Sequence, residues 1–374
     1  MVKEIQTIGI IGFNVMGAAI GLNAASSGYR VIYKELNDDL VKAMYGRWVT
    51  DALGKRVAKG KMTQEEMDKV AGRITGTSHY PDLAPCDLVI EAAVEKMDLK
   101  IQIFQDLDVA CRPDTVLVSN TSTFLIEKLM ASVSNPERTA GLHYFFPANI
   151  NKLVEVIRQT KTSDETFAAL MTFAEKNGKV AISVNDFPGF AINPVFISSY
   201  MVLNSMYSDT CNAATLDYVS KLALGVRYGI MWVLNGSGLG TAYHAAVSMH
   251  EYLADTDVGF PAVPVQLKSQ FESGKPWDIE AVVSDDEALL KDAKERLLGS
   301  VFAISSHLIE KNVVSIKDLE LGIKTALAWP KGPFTLMNEM GMAEATRLVH
   351  LTVDNGTFKM PKTFAAGIPS LWEV

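Results

Sequence analysis

Gly12-Phe13-Asn14-Val15-Met16-Gly17 follows a β-branched run over residues 5–11 and leads into a helical pattern over residues 18–27, after which Gly28 opens a second apolar run ending at Glu35. Strand, glycine-bearing turn, helix and strand in this order have the layout of a dinucleotide-binding βαβ unit. Gly12 makes the tight turn and Gly17 lets helix and strand approach. The diphosphate rests on backbone N–H groups at the helix N-terminus, around Val15 and Met16. Asn14 occupies the place of the usual middle glycine. Asparagine is the non-glycine residue that best tolerates positive φ, so the turn is expected to form, with the Asn14 Cβ crowding the diphosphate but binding retained. Glu35, at the end of the second strand, can accept hydrogen bonds from both adenosine ribose hydroxyls, and its charge repels a 2′-phosphate. NAD is therefore expected rather than NADP. An ordinary glycine-bearing βα connection fits the bare turn as well; the flanking strand, helix and acidic residue are what favour a cofactor.

The same alternation extends outward. Residues 88–91, 115–119 and 138–145 read as further strands separated by helical patterns, which specifies a mostly parallel sheet covered by helices on both faces. At Asp186-Phe187-Pro188-Gly189 the texture changes, strands vanish, and long helical patterns rich in Ala, Leu and Met take over. Residues 222–249 lie on residues 325–352 as a weak repeat, and residues 252–290, with Pro261, Pro264, Pro276 and an acidic run at 284–287, read as an irregular connection into a capped helix. The expected architecture is an α/β Rossmann domain over residues 1–186, followed by an all-α part made of two similar helical units, 187–290 and 291–374.

Composition narrows the function classes. With 374 residues, 48% of them hydrophobic and 21% charged, the chain reads as an ordinary globular protein of two to three domains. A net charge of −8 leaves no chain-wide basic footprint for nucleic acid or anionic lipid. Cys86, Cys111 and Cys211 have unrelated spacings and form no CxxC, so neither a metal site nor a disulfide framework is expected. Neither a secretory leader nor a membrane span is apparent, and a cytoplasmic location is expected. Within this acidic chain, Lys55, Arg56, Lys59 and Lys61 cluster after the helix that follows the second strand. They fit a solvated helix face, and they fit a landing patch for a phosphorylated ligand.

Residues 141–157 read as strand, turn, strand. In a hairpin centred on Asn149, His143 and Glu155 lie opposite each other, with Cβ atoms about 5 Å apart. A carboxylate so placed can orient an imidazole and stabilise its protonated form, as a general base requires. A structural histidine satisfied by its neighbour in a β-layer has the same spacing.

Several segments together carry a resemblance: Asp87-Leu88-Val89-Ile90-Glu91-Ala92, Ser119-Asn120-Thr121-Ser122, Gly141-Leu142-His143-Tyr144-Phe145, Lys152-Leu153-Val154-Glu155 and Asp186-Phe187-Pro188-Gly189-Phe190-Ala191-Ile192-Asn193. In order and spacing they resemble the NAD-dependent 3-hydroxyacyl-CoA dehydrogenases, in particular the dehydrogenase part of the longer fatty-acid-oxidation members with their doubled helical unit. The resemblance implies that His143 is the catalytic base and Glu155 its partner. It places Ser122 between nicotinamide and the substrate hydroxyl, and gives Asn193 a hold on the thioester end. By the same resemblance Glu95 and Lys100 line the NAD site, and Lys59 or Lys61 lies near the phosphates of CoA. The implied reaction is reversible oxidation of an (S)-3-hydroxyacyl-CoA to the 3-oxoacyl-CoA, in a monomer or weak homodimer.

One departure concerns the substrate. The family usually has Asn-Pro directly after His-Phe-Phe, whereas this chain has Phe146-Pro147, so either the acyl pocket is reshaped for a bulky or ring-bearing group or catalysis is impaired. Two other readings are open: a dehydrogenase of a free hydroxy acid, for which the basic cluster is dispensable, and a non-catalytic nucleotide-binding protein on the same fold. Retention of Ser122, His143, Glu155 and Asn193 together weighs against the last, since packing alone gives no reason to keep a buried charge-bearing pair.

Overall fold

β1 (Thr7–Ile11) is buried at every position, as a strand must be when helices cover both faces of its sheet. The computed structural model describes residues 4–374, which fold as two compact units, one ending at Asp186 and the other running Phe187–Val374. In the first unit β1 is joined by β2 (Arg30–Lys34), β3 (Ile74–Thr77), β4 (Leu88–Glu91), β5 (Val116–Ser119), β6 (Thr139–Tyr144), β7 (Leu153–Arg158) and β8 (Val180–Asn185). They form one sheet of order β3-β2-β1-β4-β5-β6-β7-β8, in which only the β6–β7 pairing is antiparallel. Among the described residues seven α-helices connect them: α1 (Val15–Ser26), α2 (Asp38–Met44), α3 (Ala52–Ala58), α4 (Gln64–Ala71), α5 (Met97–Ala110), α6 (Ile126–Leu129) and α7 (Asp164–Lys176). The edge strands β3 and β8 were not among the expected strands. β3 is a short Ile-Thr-Gly-Thr run, and β8 is partly exposed, so neither shows the solid apolar run that marked the central strands.

The second unit holds α8 (Ile192–Ser205), α9 (Ala213–Leu224), α10 (Ile230–Ser237), α11 (Leu239–Leu253), α12 (Val265–Ser273), α13 (Glu287–Glu310), α14 (Ile316–Ala326), α15 (Pro333–Met340), α16 (Met342–Asp354) and α17 (Lys362–Ala365), with no strand among the described residues. The internal repeat is structural. In the first copy Asp217 accepts the Trp232 N–H at 2.8 Å at the start of α10; in the second Glu320 accepts the Phe334 and Thr335 N–H groups at 2.8 and 3.2 Å at the start of α15. Each acid thus caps a helix N-terminus, where orphan donors and the helix dipole favour negative charge. The glycine before each helix makes room: a Cβ on Gly229 would lie 2.3 Å from the Asp217 carboxylate, and one on Gly332 2.4 Å from that of Glu320. Asn235 and Asn338 then pin the backbones of Trp277 and Trp372 by paired hydrogen bonds. The expected cut after residue 290 falls inside α13, which Asp286 caps through the N–H groups of Ala288 and Leu289. α13 packs on α8, α9 and α16, so one helix serves both copies.

Lys179, buried just before β8, donates to the carbonyls of Ala148 and Asn151 at 2.5 and 2.8 Å and so ties down the β6–β7 turn. Burial, reinforced by the Lys152 charge, lowers its ammonium to about 8. An unfolded lysine titrates near 10.4, so between these values the unfolded chain binds the extra proton and stability rises with pH from roughly 8 to 10.4. Lys179→Met is expected to remove that rise. Thermal melts of the two proteins at pH values within that window check it, and parallel curves would refute the assignment.

Candidate active site

β1 connects to β2 on one side while β4, its other neighbour, connects to β5 on the opposite side. That reversal opens a crevice at the carboxyl ends of the strands, where open α/β sheets bind ligands. Gly12 turns the chain out of β1 with φ +83°, a left-handed conformation, and a Cβ there would lie 3.1 Å from the Ala92 carbonyl oxygen. At Gly17 a Cβ would come within 1.9 Å of the Gly12 carbonyl oxygen, so only glycine lets α1 close on the turn.

Asn14 departs from expectation. It sits at φ −79° and ψ −163°, in extended backbone, and serves as the N-cap of α1. Its Oδ1 accepts the N–H groups of Met16 and Gly17 at 3.0 and 3.2 Å, while Nδ2 donates to the Ala92 carbonyl at 2.8 Å. The asparagine is therefore a cap and a tie to the β4 loop rather than a tolerated left-handed residue. By the same cap the helix begins at Val15, three residues before the expected start. Val15 is exposed and Met16 half-buried at this helix tip. Glu35, half-buried just past β2, accepts the Phe13 N–H at 2.6 Å through Oε1, which holds the carboxylate beside the turn.

Glu91, at the end of β4, has no solvent exposure. Its Oε1 receives Lys100 Nζ at 2.6 Å and the Ala93 N–H at 2.7 Å, and its Oε2 receives the Ser119 hydroxyl at 2.6 Å. Lys100, equally buried, also pairs with Glu95 at 3.2 Å. Glu95 in turn accepts the Thr121 hydroxyl at 2.5 Å and the Ser122 N–H at 3.3 Å. The loops after β4 and β5, one with Glu95 and the other with Ser122, are thus joined through an ion network that is buried at Glu91 and Lys100 and exposed at Glu95. Lys100 has its ammonium engaged by Glu91 and Glu95, so its place at the crevice is to hold carboxylates. Glu91, Ser119 and Asn120 lay within quoted motifs without assigned roles; the signal was a carboxylate in a fully apolar central strand, which must find a partner.

β6 and β7 pair in the register His143↔Glu155, the one that a turn centred on Asn149 requires. His143 Nδ1 lies 2.7 Å from Glu155 Oε2, with both side chains buried. Phe145 packs against the imidazole, ring centroids 4.5 Å apart. Beyond it, Phe146 is 57% exposed and joined to Pro147 by a cis peptide bond.

Lys55 and Arg56 occupy the last turn of α3, Lys59 is its C-cap and Lys61 follows Gly60 in the succeeding turn. The cluster therefore straddles a helix end, where cations offset the exposed carbonyls. Asn193 lies in the first turn of α8, in the second unit. Among the described residues no group of His, Cys, Asp and Glu could hold a metal ion, and no helix is long and apolar enough to cross a membrane.

The positive-φ turn, the absent Cβ at Gly17, the exposed Val15 at the helix tip and the carboxylate after β2 fit a dinucleotide. Gly17→Ala is expected to weaken NADH binding by roughly tenfold or more, since overpacking costs about 1–3 kcal/mol and here displaces the turn itself. Fluorescence titration measures it, and an unaltered affinity would remove this turn from the cofactor seat.

Comparison with known proteins accords with this geometry. Residues 7–187 match the family model described as 3-hydroxyacyl-CoA dehydrogenase, NAD binding domain. The fatty acid oxidation complex subunit alpha of Psychrobacter arcticus is 34% identical over 252 residues, covering 67% of this chain; the chain spans 35% of that protein's length. FadB2 of M. tuberculosis is 30% identical, with a TM-score of 0.66 over 74% of this chain and 96% of that one. In fold the chain is also similar to the 3-hydroxybutyryl-CoA dehydrogenase of Escherichia coli K12, with a TM-score of 0.83 at 22% identity over 95% of this chain and 96% of that one. The chain belongs to the 3-hydroxyacyl-CoA dehydrogenase family, and residues 7–187 are its NAD-binding domain.

Proposed function

We propose that this protein catalyses the reversible NAD-dependent oxidation of an (S)-3-hydroxyacyl-CoA to the 3-oxoacyl-CoA. The observation that carries the reading is the buried His143–Glu155 pair, 2.7 Å apart at the carboxyl end of the sheet that bears the dinucleotide turn. With Nδ1 turned to the carboxylate, proton transfer falls to Nε2. In the oxidative direction His143 takes the substrate hydroxyl proton, and Glu155 stabilises the resulting imidazolium. In reduction the imidazolium returns that proton to the substrate oxygen. Ser122 orients the reacting oxygen and Asn193 holds the thioester end.

Bound NAD supplies a hydride acceptor, and NADH the donor. Gly12, Asn14, Val15, Met16 and Gly17 form the seat for its diphosphate, and Glu35 takes the ribose hydroxyls. Glu95 and Lys100 line the nicotinamide side, the lysine by keeping Glu95 in place. Lys59 and Lys61 bind the phosphates of CoA. The half-exposed Phe146 ring beside the His143 strand supports an acyl group that is bulky or ring-bearing.

Absorbance of reduced nicotinamide, followed with acetoacetyl-CoA and a panel of larger 3-oxoacyl-CoAs, tests the reaction. His143→Ala is expected to keep NADH affinity and lose turnover by about two to four orders of magnitude; undiminished turnover would exclude His143 from the mechanism. No oxidation with any thioester, NADH still binding, would instead favour a non-catalytic nucleotide-binding role. Lys59→Ala combined with Lys61→Ala is expected to raise KM for the thioester several-fold, in line with about 0.2–1 kcal/mol per exposed charge contact. A KM that does not move would point to a free hydroxy acid as substrate.

A further inference from the structure

β5 and β6 share their last ladder pair at Ser119 and Gly141. Past that point β6 continues through His143 to Tyr144, whereas the other chain leaves the sheet as the loop that carries Ser122. Asn120 spans the divergence. Its backbone N–H donates to the Glu91 carbonyl at 2.8 Å, which continues the β4 side of the ladder. Its side-chain Oδ1 accepts the Tyr144 N–H at 2.9 Å, supplying the acceptor that a longer β5 would have offered through its backbone. Because a peptide N–H only donates, the carboxamide is locked with its oxygen toward β6.

On the far side of the same loop, Glu95 holds Thr121 and the Ser122 N–H. The loop is therefore held by the exposed Glu95 carboxylate, which pairs with buried Lys100, and by Asn120 reaching the residue next to His143. Loss of the second tie leaves the Glu95 contacts intact but removes the Asn120 bond to the histidine strand.

We propose that Asn120 is a positioning residue for the dehydrogenase reaction, a strut that sets the Ser122 loop against the strand bearing His143. The proposal rests on the reading of Ser122 and His143 given above. Asn120 need not touch substrate or cofactor: it acts through the spacing of two groups that do. Small displacements of such groups are costly, with a misplacement of about 1 Å worth up to a hundredfold in rate.

The test compares Asn120→Ala, which removes the acceptor, with Asn120→Asp, which keeps one at the same reach. The assay is reduction of whichever 3-oxoacyl-CoA in the panel the wild-type enzyme turns over best. Asn120→Ala is expected to lower kcat by about ten- to a hundredfold, with KM and NADH affinity little changed, and Asn120→Asp to recover most of that loss. A fall in melting temperature with kcat intact would mark a merely structural contact and overturn the proposal, as would an aspartate variant as impaired as the alanine one. Should Asn120→Ala fail to fold, Asn120→Ser, too short to reach Tyr144, takes its place with the same two outcomes. His143→Ala run in parallel separates the two readings. If it is inactive while Asn120→Ala turns over normally, only the strut fails; if it is fully active, the catalytic assignment fails first.

Discussion

A charge without water must have a partner, and this constraint shapes the carboxyl edge of the sheet. Glu91 and Glu155 are both fully shielded from solvent. An isolated carboxylate in such a place costs several kcal/mol even after the surroundings relax. Glu91 is offset by Lys100, the Ser119 hydroxyl and the Ala93 N–H; Glu155 faces His143. The first pairing joins the loops after β4 and β5, and the second orients the imidazole on β6. Both pairings lie along one edge of one sheet, and from that edge also emerges the turn that receives the dinucleotide.

The glycine turn and the ion network meet at Ala92. Its carbonyl accepts Asn14 Nδ2, and a Cβ at Gly12 would lie 3.1 Å from the same oxygen. The turn after β1 is thus shaped by the loop after β4, whose other end is held by Glu91 and Lys100. Asn14 makes this coupling stronger than a glycine could, since it adds a side-chain bond across the crevice and caps two N–H groups of α1. Substituting the middle glycine has therefore exchanged backbone freedom for a fixed cap.

The helical unit shows how a duplicated sequence keeps the elements that packing demands. Asp217 and Glu320 differ in length yet cap equivalent helices, each beside a glycine whose missing Cβ admits the carboxylate. Between these points only some apolar residues match, Ala223 with Ala326 and Leu224 with Leu327, which is why the repeat reads as weak. What persists includes the acid and the asparagine, which satisfy backbone donors, and the glycine, whose missing Cβ admits the acid.

Local pattern alone determined the central strands, the βα turn, the change to helices after Asp186 and the opposition of His143 and Glu155. These follow from short continuous apolar runs, from the steric needs of a tight turn and from counting across a hairpin, all of which act between neighbours in the chain. The edge strands and the start of α1 were less legible: an edge strand is solvated on one side, and Asn14 reads as a turn residue until its side chain is seen to cap. The role of Lys100 as a buried brace, the bond from Asn120 to Tyr144, and the shared helix α13 were decided by tertiary structure alone. Each depends on separate elements converging in the fold, and there an amide oxygen or an ammonium has to choose a particular partner.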